Sequence, residues 1–137
     1  MIKRKIDRYL ADFFDTDRKA LMLTGARQIG KTYSIRRFGH EHFERFVEIN
    51  FIENLGLVKV FSKAKNCQDI LLRLSTVTSQ DLIKGNTLVF FDEVQECPEI
   101  VTAIKFLVEE GSYRYILSGT NENIALNFPG DPRHEAF

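Results

Sequence analysis

Hydrophobic positions along the chain alternate between helical and strand spacing. Ile2, Ile6, Tyr9, Leu10 and Phe13 recur every three or four residues, the stripe of an amphipathic helix over 2–14. Ala20 to Thr24 is a short apolar run of strand length, and 31–38 can continue as a helix that Gly39 would stop. Phe46 to Phe51 alternates and reads as a second strand with Glu48 and Asn50 on its more polar face. Leu55 to Leu74 predicts helix broken near Lys65-Asn66, with 69–74 its clearest part. Leu88-Val-Phe-Phe91 is apolar throughout, as a strand buried on both faces must be. Pro98 suits the first turn of a helix running to Glu110 and stopped by Gly111, and Tyr113 to Ser118 reads as a further strand. Strands alternating with helices predict an α/β fold, a parallel sheet covered by helices on both faces.

The first strand-to-helix junction carries the most specific chemistry. Gly25-Ala26-Arg27-Gln28-Ile29-Gly30-Lys31-Thr32 spells a complete phosphate loop, G-x-x-x-x-G-K-[ST]. The glycines let the backbone turn so that successive N–H groups line one concavity, which opens on a helix N-terminus that favours an anion. Lys31 is then the cation for β- and γ-phosphates, and the Thr32 hydroxyl a hard oxygen ligand for Mg²⁺. The strand before it and the helix after it are the context this motif requires. Residues 25–32, with Tyr33 just beyond, are the candidate nucleotide-binding residues.

Asp92 and Glu93 follow the all-apolar strand, at the end where open α/β sheets bind ligands. Asp92 is the candidate second partner of Mg²⁺, acting through water and Thr32. Glu93 is a candidate general base that polarises water for attack on a γ-phosphate, which points to hydrolysis rather than transfer. Ser118 ends another strand and is the first choice for a sensor of the γ-phosphate or attacking water. Thr120 and Asn121 stand close behind it, and Ser-Gly-Thr-Asn is also ordinary turn composition.

Together, Gly25 to Thr32, Phe90-Phe-Asp-Glu-Val-Gln95-Glu-Cys-Pro98 and Tyr115-Ile-Leu-Ser-Gly-Thr120 resemble the AAA+ type ATPase domain of a large group of prokaryotic ATP-binding proteins. The resemblance covers nearly the whole chain to Thr120. It implies a P-loop NTPase of three α/β/α layers that binds ATP and Mg²⁺, with Gly25 to Thr32 on the phosphates, Asp92 assisting the metal, Glu93 activating water and the end of the Ser118 strand as sensor. It also implies that the Ser118 strand lies between the phosphate-loop strand and the Phe90 strand, with the Ile49 strand beyond. Such proteins usually continue into a winged-helix segment and a further domain.

Past Thr120 the pattern departs from the family. Pro129-Gly-Asp-Pro132 reads as turn-rich, and no fifth strand, helical lid or second arginine sensor is visible. The expectation is an ATPase core over 1–120, with the 1–14 helix packed on it, and an irregular tail over 121–137. The core then looks truncated, with the fifth strand missing and the phosphate-loop strand on an exposed edge that invites association or capping by the tail.

Composition narrows the partners. With 137 residues, 44% of them hydrophobic, and twelve Phe but no Trp, the chain can build one phenylalanine-rich core. No run approaches a membrane span and the start lacks a signal-peptide stretch, so a cytoplasmic location is expected. Cys67 and Cys97, in dissimilar contexts, read as reduced thiols. The net charge is zero, yet residues 1–40 hold ten Lys or Arg against four Asp or Glu. Lys3, Arg4, Lys5, Arg8, Arg36 and Arg37 are a candidate face for nucleic acid or an acidic neighbouring subunit. Solvated helix faces are the favoured reading, since no aromatic residues are arranged along them for base stacking.

Two functions are carried forward. One is Mg²⁺-dependent ATP hydrolysis coupled to conformational change in a partner or further domain, completed by an arginine from a neighbouring subunit or by a lid. The other is a nucleotide-binding or interaction module that does not turn over. A small-molecule kinase is disfavoured by Glu93, and a GTPase by the absence of an Asn/Thr-Lys-x-Asp guanine motif.

Overall fold

A computed structural model of the chain describes residues 5–16, 20–24, 29–120 and 131–133. Helix α1 (Lys5–Thr16) precedes strand β1 (Leu21–Thr24), helix α2 (Ile29–His42) and strand β2 (Arg45–Asn50). Helices α3 (Gly56–Ser62) and α4 (Cys67–Val77) follow, then β3 (Thr87–Asp92), α5 (Pro98–Glu110), β4 (Arg114–Gly119) and β5 (Asp131–Arg133). The sheet is parallel throughout, in the order β2-β3-β4-β1-β5. β4 therefore lies between the phosphate-loop strand and β3, as expected.

Side-chain alternation divides the core into two layers. Met22, Val47, Ile49, Val89, Phe91, Tyr115 and Leu117 face α3, α4 and α5, where they pack on Phe61, Ile70, Leu74, Ile100, Ile104 and Leu107. Leu21, Leu23, Phe46, Leu88, Phe90 and Ile116 face α1 and α2, meeting Ile6, Leu10, Phe13, Ile35 and Phe38. All six residues of β3 are buried, which explains its uninterrupted apolar run. The α1 stripe is core: Ile6 and Leu10 are fully buried and Tyr9 partly so.

Local signals explain the ends of the other helices. The predicted break at Lys65-Asn66 is a capping arrangement: the Asn66 side chain accepts from Asp69 N at 2.8 Å, while Asp69 Oδ2 accepts from Lys65 N at 2.9 Å. α5 begins at Pro98 and ends on Gly111, whose φ of 81° suits a residue without Cβ.

Two expectations fail. Gly39 does not stop α2, which runs on to His42. A Cβ built on Gly39 would lie 2.1 Å from Phe46 Cδ1, so this glycine permits close approach of helix to strand and does not terminate anything. The fifth strand is not missing. Residues 131–133 pair in parallel with β1, opposing Leu21 to Asp131, Met22 to Pro132 and Leu23 to Arg133. β5 covers the edge of β1 that was expected to be exposed. Proline has no N–H to give a ladder, but at a sheet edge the loss is tolerated. The remainder of the predicted tail, 121–130 and 134–137, lies outside the described residues.

Candidate functional site

The same alternation that fills the core aims polar residues at one place. Glu48 and Asn50 of β2, Asp92 of β3 and Ser118 of β4 share strand parity with the apolar residues on the α2 side, and Asp92 stands opposite both Asn50 and Ser118 in register. α2 begins at Ile29, so its first turn presents Lys31 and Thr32 to those strand ends. One recess is lined by Lys31, Thr32, Asp92, Glu93, Ser118, Gly119 and Thr120. Residues far apart in sequence, on one helix and two strands, thus converge. A larger apolar groove of about 390 Å³ beside Phe61, Ile70 and Phe106 lies on the opposite layer, away from this polar convergence.

Gly25, Ala26, Arg27, Gln28 and Asn121 lie outside the described residues, and of Ile29 only the helical backbone is described. Tyr33 does not line the recess: it is 48% exposed, with the Arg37 guanidinium 5.8 Å from its ring centroid.

The acidic pair is tightly held. Asp92 Oδ1 accepts from Glu93 N at 2.9 Å, and Oδ2 accepts from Asn50 Nδ2 at 3.3 Å. Asn50 also donates to Glu53 Oε1 at 3.0 Å, while its own Oδ1 accepts from Ile52 N and Glu53 N, both at 2.9 Å. Asn50 therefore fixes the turn after β2 and steadies Asp92 in one stroke. Glu93 takes a left-handed conformation (φ 58°, ψ 48°), unique among described residues other than glycine. That conformation costs about 1 kcal/mol or more for a residue with Cβ, and such strain clusters at functional sites. Gln95 Nε2 donates to Glu93 Oε1 at 2.9 Å, and Gln95 Oε1 accepts from Thr120 N at 3.3 Å.

Burial sets the charges against one another. Asp92 is pushed up to about 6, mainly by burial and next by neighbouring Glu93, with the Glu93 N–H and Lys31 opposing. Burial lowers Lys31, while Asp92 and Glu93 pull it back up. Two carboxylates thus face one ammonium beside the Thr32 hydroxyl. This oxygen-rich set with surplus negative charge fits Mg²⁺, a hard cation that binds one or two carboxylates and keeps its remaining oxygens for water and phosphate.

The basic residues of the first forty are partly spoken for. Arg36 meets Glu48 through two bonds of 2.6 and 2.8 Å, and Arg37 meets Asp7 at 2.7 Å. Both tie α2 to a neighbouring element, as ordinary helix-face residues do. Asn50 and Gln95 are the site residues that the sequence reading did not assign. Asn50 was read only as part of the more polar face of its strand, and the structure buries it at the strand end; Gln95 lay inside the motif that carried the family resemblance.

A parallel sheet in this order, with a phosphate-loop helix and an acidic pair at its carboxyl end, defines a P-loop NTPase fold. The sequence model of a family described as "AAA domain" matches residues 17–130. The chain belongs to that family, and its fold and family together make it an AAA+ P-loop ATPase domain with nucleotide-binding, ATPase-type function in general terms. Among solved structures it is similar to Cdc6p from Pyrobaculum aerophilum (TM-score 0.52, 15% identity, covering 90% of this chain and 39% of that one). It is also similar to PCH-2 from C. elegans (TM-score 0.55, 13% identity, covering 94% of this chain and 43% of that one). The chain thus spans about two fifths of the length of these neighbours, and at such identities the likeness is one of fold. No curated protein matches the chain.

Proposed function

We propose that the chain binds ATP with Mg²⁺ and hydrolyses it, and that turnover drives a conformational change in a partner or a further domain. The observation that carries this reading is the convergence of Lys31 and Thr32 with Asp92, Glu93 and Ser118 on one recess. In this proposal residues 25–32 cradle the phosphates and Lys31 neutralises the β- and γ-oxygens. Thr32 and Asp92 hold the metal, which when bound supplies Lewis acidity at the phosphate oxygens. Glu93 takes a proton from water as its oxygen forms a bond to the γ-phosphorus and the bond to the departing ADP oxygen breaks. Ser118 reports on the γ-phosphate.

Partners follow from the same reading. The nucleotide is the small-molecule partner, and a neighbouring subunit is the proposed source of an arginine completing the site. Among the described residues no helix is long and apolar enough to cross a membrane; we place the protein in the cytoplasm. The test is phosphate release from Mg·ATP by the wild type and by Glu93→Gln. The expected result is retained nucleotide binding with hydrolysis abolished in the variant, and full turnover by it would remove the base assignment.

A further inference from the structure

The Asp-Glu-x-Gln segment contains one polar side chain with no role in the scheme above. Gln95 lies in the short 3₁₀ turn Val94–Glu96, entered through left-handed Glu93 and closed by Glu96 N to Glu93 O at 3.1 Å. That turn folds the Gln95 side chain back over the strand ends, where it makes two bonds at once: Nε2 to Glu93 Oε1 at 2.9 Å, and Oε1 from Thr120 N at 3.3 Å. The orientation of its amide is fixed by chemistry, because an ionised carboxylate only accepts and a backbone N–H only donates. No other side chain of this length satisfies both. Glutamate lacks the donor and sets a second charge against Glu93, methionine keeps the length but has neither group, and asparagine is one methylene short.

The two partners of Gln95 belong to different parts of the proposed reaction. Glu93 is the proposed base, and it is 2% exposed, so its carboxylate is aimed by protein contacts and not by bulk water. Thr120 follows β4, two residues past proposed sensor Ser118, and itself lines the recess. Resting on the proposed hydrolytic reading, we infer that Gln95 is a positioning residue: it aims the Glu93 carboxylate at the attacking water and links that aim to the end of the sensor strand. Displacement of Thr120 by whatever occupies the recess is passed to the base through one amide.

The test measures single-turnover hydrolysis and nucleotide affinity with Mg·ATP for wild type, Gln95→Met, Gln95→Glu, Glu93→Gln and the Glu93→Gln/Gln95→Met pair, together with exchange of the Thr120 amide. Loss of a hydrogen bond to a charged group should slow hydrolysis by about ten- to hundredfold in Gln95→Met. Nucleotide affinity should stay within about threefold of wild type, since Gln95 makes no proposed phosphate contact. Gln95→Glu should be at least as slow, Thr120 exchange should accelerate, and adding Gln95→Met to Glu93→Gln should change the residual rate no further. Gln95→Met hydrolysis within about twofold of wild type, while Glu93→Gln is inactive, overturns the inference and leaves the proposed function standing. Affinity that falls in parallel with the rate also overturns it, because the residue would then be merely structural. Wild-type hydrolysis no faster than that of Glu93→Gln overturns both.

Discussion

Replacing Asp92 by Asn should make the nucleotide-free protein more stable while weakening the proposed hold on Mg²⁺. Burial and Glu93 raise the Asp92 carboxyl from 3.8 to about 6 in the folded chain. A folded pKa above the unfolded one means that the folded state holds the proton more tightly. Stability from this group is fully present below about pH 4 and is lost as pH rises through about 6. Roughly two pKa units at about 1.4 kcal/mol each put the penalty near 3 kcal/mol at pH 7.5, falling to about half of that at pH 5. Asn removes the charge but turns an amide donor toward the Asn50 donor, forfeiting the 3.3 Å bond at a cost of about 1 kcal/mol. The net expectation is a gain of about 1–2 kcal/mol at pH 7.5, equivalent to about 5 °C in Tm for a domain of this size. Urea denaturation in EDTA at pH 7.5 and pH 5 measures it. A variant less stable than wild type at pH 7.5, or a gain that does not shrink on acidification, would refute the reasoning. Added Mg·ATP should stabilise the wild type more than the variant, which keeps the proposed phosphate contacts of Lys31 but loses the carboxylate for the metal.

Other substitutions test other steps. Gly39→Ala should destabilise by about 2 kcal/mol despite alanine's better helix propensity, because its Cβ would press on the Phe46 ring; in calorimetry it should cost clearly less when added to Phe46→Ala than when added to the wild type. Glu93→Gly should be about 1 kcal/mol more stable than Glu93→Ala, because both lose the carboxylate but only glycine relieves the left-handed strain; equal stability in denaturant titration would argue against stored strain. Arg36→Ala should change stability by less than about 1 kcal/mol, since its pair with Glu48 is solvent-exposed; a larger loss on urea titration would give that bridge a structural role.

Most of the fold was legible because hydrophobic period and punctuation agree. The uninterrupted run at Leu88–Phe91 could only be a strand buried on both sides, and Pro98 and Gly111 mark the ends of their helix as backbone chemistry demands. Gly39 misled because the same residue type serves both as a helix stop and as a close-packing contact, and only the position of Phe46 distinguishes the two. β5 was hidden for a different reason: three residues, one of them proline, are too few to show a period, and the strand exists because β1 has an edge to fill. Within the site, Lys31, Thr32, Asp92 and Glu93 were readable from motif spacing. From the residues alone Ser118 was readable only as a polar strand end; that its strand lies beside β3, which sets Ser118 opposite Asp92, came from the family resemblance and from no local pattern. The hydrogen bonds of Asn50 and Gln95 reach across 42 and 25 residues, a relation carried by sheet register and turn geometry that no local pattern spells out.

The central claim is that the Lys31 recess binds ATP together with Mg²⁺. Equilibrium titration of the wild type and Lys31→Ala with ATP, in magnesium and in EDTA, tests it most directly. Saturable binding by the wild type that weakens in EDTA and falls by about a hundredfold or more in Lys31→Ala is the predicted result, the scale expected when a buried charge contact to phosphate is lost. Equal affinity in the two proteins would contradict it.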